Sequence, residues 1–159
     1  MNIYELKKIR KDVKMAKISD QMIIDEIFTY ITESQYCYLA TALEKQPKIR
    51  PMVLFYNNNR FFMVTFTNDS KVAQFKGNKL CEVCIPINDE YNNKGYIKMT
   101  GQGKIVKDFD LKYEATHFCY FFDELYEGAD DPDFALIELT FNAYEIMSPG
   151  ETFSKKVSV

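Results

Sequence analysis

The sequence predicts a mainly β, α+β fold: a six-stranded antiparallel β-barrel, split or closed, with flanking helices. Three observations carry this. Six strand-like runs follow one another with short connections, which suits antiparallel neighbours. Gly101 and Gly103 fall inside the fifth run, as at a barrel corner. No Gly-rich loop joins a strand to a helix, and this disfavours a parallel, dinucleotide-binding sheet.

Residues 3–17 have helical periodicity, with Ile3, Leu6, Ile9 and Val13 on one face. Lys7, Lys8, Arg10, Lys11, Lys14 and Lys17 make residues 1–20 a basic helical extension of a single domain spanning 1–159. Ser19-Asp20 then offers a cap for a helix over 21–33, with Met22, Ile23, Ile27 and Ile31 periodic. Tyr36 to Leu43 reads as the first strand, Lys48 to Tyr56 as the second and Arg60 to Phe66 as the third. Asn57-Asn58-Asn59 is a hairpin signal, because Asn tolerates positive φ. A short helix over 69–76 stops at Gly77-Asn78. Strands over 80–87 and 96–107 follow, then a helix over 108–126 with an apolar face of Leu111, Phe118, Phe122 and Leu125. The last strand, 134–147, alternates Ile137, Leu139, Phe141 and Ala143 with polar neighbours.

Composition excludes several classes. A net charge of −3 offers no basic surface for nucleic acid. No apolar run reaches membrane-spanning length, and the basic N-terminus lacks the apolar core of an export signal, so a cytoplasmic protein is expected. Cys37, Cys81, Cys84 and Cys119 read as reduced core thiols. In Cys81-Glu82-Val83-Cys84, positions three apart on a strand face opposite ways, so neither a disulfide nor a zinc pair is expected. With His117 the lone histidine, placed on a helix as a surface or packing residue, no metal site is expected. The acidic run from Asp123 to Asp133 reads as a solvated loop. The many Phe and Tyr side chains suit a β-rich core or a subunit interface, with a planar-ligand pocket as the alternative.

The chemistry gathers between Lys48 and Lys71. Arg50 shares a strand face with Met52 and Leu54, and its guanidinium is a planar fork of donors suited to phosphate oxygens. If the 48–56 and 60–66 strands form a hairpin, Arg50 lies level with Thr65 to Thr67. The chain then turns through Asn68-Asp69 into a helix whose free N–H groups point at the same place. Ser70 can cap or donate, and Lys71 adds a second charge. Two cations, three hydroxyls and a helix start suit a dianionic phosphate. An exposed arginine, a hairpin and a capped helix would leave the same pattern.

The stretch YLATALEKQPKIRPMVLFYNNNRFFMVTFTNDSKVAQFKGNKLCEVCI resembles the FMN-binding split-barrel family, the pyridoxamine 5′-phosphate oxidase-like group. The resembling features are Ala40-Thr41, Arg50-Pro51-Met52, the Thr65 region, Ser70-Lys71 at a helix start and a strand leading to Gly101-x-Gly103, spanning about 22–147. The resemblance implies that Arg50, Ser70 and Lys71 hold the FMN phosphate, helped by Thr65 or Thr67. It places Pro51, Met52 and Val53 beside the isoalloxazine. It also implies a homodimer with the flavin between subunits, the site being completed by the partner's strand around Tyr96 to Met99.

Two departures argue against vitamin B6 oxidation. The oxidases carry an Arg-x-His element near the C-terminus, where NAYEIMSPGETFSKKVSV has neither residue, and a basic residue where Phe55 stands. The expected function is an FMN-dependent oxidoreductase with NAD(P)H as reductant and no nameable catalytic acid or base. The alternatives are a non-catalytic flavin-binding or stress-response protein, or a relative using deazaflavin or haem.

Overall fold

The computed structural model describes residues 18–159, so the basic helix expected over 3–17 lies outside the described residues. The first helix described, α1 (Asp20–Tyr30), is capped by Ser19, whose Oγ accepts from the Met22 N–H at 3.2 Å. It buries Ile23 and Ile27. Strands β1 (Ser34–Leu43), β2 (Gln46–Asn57) and β3 (Arg60–Phe66) follow as two hairpins. Asn58 and Asn59 take φ of 49° and 58°, the left-handed conformation that a two-residue turn matched to strand twist requires. Helix α2 (Ser70–Gly77), strands β4 (Leu80–Asn88) and β5 (Lys94–Ile105), helices α3 (Phe109–Phe118) and α4 (Phe122–Leu125), and strands β6 (Phe134–Met147) and β7 (Lys155–Ser158) complete the order.

All pairings are antiparallel. The sheet runs β3-β2-β1-β4-β5-β6-β7, and β3 also pairs with β6, so six strands close into the expected barrel ring. The interior is filled by Leu39, Leu54, Met63, Val83, Ile97, Met99 and Ile137. A second core lies where Phe55, Phe62 and Leu136 pack against Ala115, Cys119 and Phe122 of the α3–α4 region.

The glycine reading of β5 has a clear physical basis. The β5–β6 register shifts between Thr100 and Gly101, and a Cβ on Gly101 would stand 1.9 Å from the Thr140 carbonyl oxygen. At Gly103 it would stand 2.4 Å from the Phe75 ring of α2. The two glycines let β6 and α2 approach the bent strand.

Three expectations need correction. The helix read over 108–126 is broken at Cys119–Phe121, so that Phe118 and Phe121 both pack on Phe55, at 5.5 and 5.8 Å. A seventh strand, β7, adds to the β6 edge at Ala143–Ile146. Only Val157 of that strand is buried, too little for an apolar pattern to reveal. The level pairing of Arg50 with Thr65 to Thr67 is also absent. Strands β2 and β3 pair only from Phe55↔Phe62 to Asn57↔Arg60. Beyond that, β2 follows β1 and β3 follows β6, and the barrel splits between them.

Candidate functional site

The split between β2 and β3 opens a cleft of about 340 Å³. Pro51, Met52 and Val53 of β2 form one wall, and Val64, Thr65 and Phe66 of β3 the facing one. Phe121, Leu125 and Tyr126 supply a third, apolar side, and Tyr36 stands at the edge. Lys71 of α2 lines the same cleft.

Lys71 is only 6% exposed, an unusual place for an ammonium group without partners. Its Nζ donates to Thr65 Oγ1 at 2.9 Å and to Asp69 Oδ2 at 2.5 Å. Asp69, not Ser70, is the N-cap of α2, and its Oδ1 accepts from the Lys71 N–H at 3.0 Å. Burial pushes the Asp69 carboxyl up, but the bonds from Lys71, its charge and the Thr65 hydroxyl outweigh burial and hold it below the usual range. Ser70 is exposed in the first turn of α2.

Arg50 is half-buried and stands outside the cleft wall. Its Nη1 donates to Thr41 Oγ1 at 2.9 Å and its Nη2 to Gln74 Oε1 at 2.8 Å. The Thr41 hydroxyl donates to the same Gln74 oxygen. Arg50 is thereby tied to α2 one turn beyond Ser70. Burial lowers its pKa, and the Asp69 charge partly offsets this.

The structure thus brings Pro51, Met52, Val53, Thr65 and Lys71 into one cleft, with Ser70 in the first turn of α2 and Arg50 bonded to Gln74 one turn further on. Thr67 is not brought in: its hydroxyl donates to the Pro132 carbonyl at 2.7 Å and fastens the acidic loop instead. Sequence reasoning missed Asp69, Gln74, Thr41 and the Phe121–Tyr126 side. Asp before a helical pattern is a preferred cap, so Asp69 had a readable signal. The other three depend on tertiary placement.

Other groups lie apart. Cys81 is buried and its thiol is pushed up to about 12, which leaves it unreactive as a nucleophile. His117 is exposed, its ring edge-on to Tyr113 at 4.9 Å. Among the described residues, no three His, Cys, Asp or Glu side chains gather as a metal site. None of the described helices is long and apolar enough to cross a membrane.

An antiparallel barrel split at one seam, with a buried cation at the foot of an apolar cleft, defines a split barrel with a candidate ligand site. Residues 23–148 match the family described as pyridoxamine 5′-phosphate oxidase, and the chain belongs to that family. It is 20% identical over 134 residues to general stress protein 26 of Bacillus subtilis (strain 168), covering 84% of this chain and 94% of that one. Among solved structures it resembles a NimC/NimA family protein from Clostridium acetobutylicum, with a TM-score of 0.69 and 20% identity over 85% and 91% of the two chains. An FAD-binding protein from Mesorhizobium loti gives a TM-score of 0.62 at 13% identity, over 76% and 89% of the chains. A heme binding protein from Mycobacterium smegmatis gives 0.62 at 10% identity, over 79% and 53%. Likenesses at these identities show the fold.

Proposed function

We propose that this protein is a homodimer that binds FMN noncovalently in the β2–β3 cleft and works as an FMN-dependent oxidoreductase reduced by NAD(P)H. The observation that carries the reading is buried Lys71, bonded to Thr65 at the foot of an otherwise apolar cleft. These residues fit a flavin phosphate. Lys71, Thr65 and Ser70 would hold it, and Arg50, kept beside α2 by Gln74, would add its fork. Pro51, Met52 and Val53 would lie along the isoalloxazine, and Phe121 and Leu125 would exclude water from it. The bound flavin would supply hydride or electron transfer, while the protein contributes orientation and electrostatics.

Exposed Tyr36, Tyr38 and Ile49 support the dimer. Tyr38 pairs with Pro51 and Ala40 with Ile49, so an apolar strip runs along the outer face of β1 and β2 beside the cleft. Phe55 supports a substrate other than pyridoxamine phosphate. It is fully buried among Phe118, Tyr120 and Phe121, and brings no charge to the cleft.

A second reading, flavin binding without turnover, draws on the cleft's ionisable groups. Burial, reinforced by nearby acidic groups, pushes the Tyr126 hydroxyl up to about 12, and Lys71 is already held by Asp69. An absorption spectrum and mass analysis of the cofactor released from purified protein test both readings. A flavin band with the mass of FMN is expected, and a Soret band would replace flavin with haem. Anaerobic bleaching by NAD(P)H supports the oxidoreductase, and its absence leaves the binding protein. Protein that stays colourless and quenches no flavin fluorescence would overturn the assignment.

A further inference from the structure

Asp69 stands where an incoming phosphate would have to go. Its carboxylate takes the Lys71 N–H at 3.0 Å, the Lys71 Nζ at 2.5 Å and the Thr65 hydroxyl at 3.3 Å. The buried ammonium and the strand hydroxyl are groups that the proposed function assigns to the flavin phosphate, and the Lys71 amide is a first-turn donor of the same helix start. The two partners of this ion pair differ in exposure. The Lys71 side chain is 7% exposed and enclosed, whereas that of Asp69 is 31% exposed and can turn out to water.

We infer that Asp69 is an internal competitor for the phosphate and a specificity-determining residue of the site: its carboxylate occupies the chain's own anion-binding donors, and a phosphorylated ligand must displace it. The inference rests on the flavin reading for its ligand, but the competition itself concerns any phosphate. In the free protein, the carboxylate satisfies the buried ammonium, which would otherwise be a costly isolated charge. On binding, the dianion takes over the ammonium, and a displaced carboxylate nearby repels it. Part of the attraction of Lys71 for phosphate is therefore spent on releasing Asp69. The protein should favour FMN over riboflavin by less than its cations alone would give.

Asp69→Asn separates these effects, because Asn caps a helix about as well as Asp and has nearly the same shape. Dissociation constants for FMN and riboflavin, read by flavin fluorescence quenching, are compared in wild type and D69N. D69N should bind FMN roughly ten-fold tighter and riboflavin within about two-fold of wild type, since only the phosphate meets the carboxylate. Inorganic phosphate should raise the melting temperature of D69N at concentrations that leave wild type unmoved. Asp69→Ser, another capping residue, should behave as D69N does. Unchanged or weaker FMN binding in both variants, or equal shifts for both flavins, would overturn the inference. If wild type bound neither flavin, the flavin reading would fail while the phosphate comparison still decided the role of Asp69.

Discussion

Replacing Lys71 with Met removes the charge at the foot of the cleft while keeping a buried side chain of similar length. In the free protein, Lys71 Nζ has two partners, Thr65 and Asp69. Asp69 is partly exposed and keeps the N–H of residue 71, so it can recover water, and the Thr65 hydroxyl already lies 3.3 Å from Asp69 Oδ2. The loss in stability should therefore stay near 1 kcal/mol, or about 2–4 °C in melting temperature. In the flavin complex the same change removes a charge-assisted hydrogen bond worth about 1.5–3 kcal/mol. That corresponds to roughly 10- to 150-fold weaker FMN binding. Riboflavin, which has no phosphate, should bind as before. Fluorescence quenching titrations with both flavins, alongside a thermal melt, read all three quantities. Parallel losses for FMN and riboflavin, or a melting temperature lower by more than about 10 °C, would show that Lys71 acts through the fold and not through the phosphate.

Gly101→Ala should be strongly destabilising, by about 3 kcal/mol or more, because its Cβ would meet backbone at Thr140 and Phe141 that no rotamer can move. A melt within a degree of wild type would show that the bulge relaxes freely. Thr67→Val should loosen the acidic loop by removing the bond to Pro132 while leaving FMN affinity unchanged; a loss matching that of Lys71→Met would return Thr67 to the site. Glu145 gives a pH prediction. Burial raises its pKa, but hydrogen bonds from Tyr96, Lys98 and Ser154 and the Lys98 charge outweigh this and hold it at about 2, against an ordinary 4.5. Its contribution is thus fully present above pH 4.5 and lost as pH falls toward 2. In Glu145→Gln, melting temperature should fall less steeply over that interval, and identical acid limbs would refute the linkage.

The barrel was legible because its signals are local. Alternation marks the strand faces, Asn58-Asn59 sets the β2–β3 turn, and Gly101 and Gly103 mark the bent strand. Strand β7 was not legible, since with one buried residue its place depends on the free edge of β6 and not on its own pattern. Nor was the break at Cys119–Phe121, which serves the packing of two rings on Phe55.

The candidate site divides along the same line. Sequence alone determined which residue types the chain brings to the start of α2: the hydroxyls of Thr65 and Ser70 and the charge of Lys71, with Asp69 a cap whose signal was readable. Turn and cap chemistry act over a few residues, so that much can be read from the chain. Tertiary structure decided which of these groups meet. Because β2 leaves β3 after Phe55, Arg50 lies beside Gln74 and not beside Thr65, while Thr67 faces the acidic loop. The same separation opens the cleft and lets Phe121 and Leu125 line it. Strand divergence is a property of the closed ring, set by pairings between residues far apart in the chain, and no local pattern encodes it.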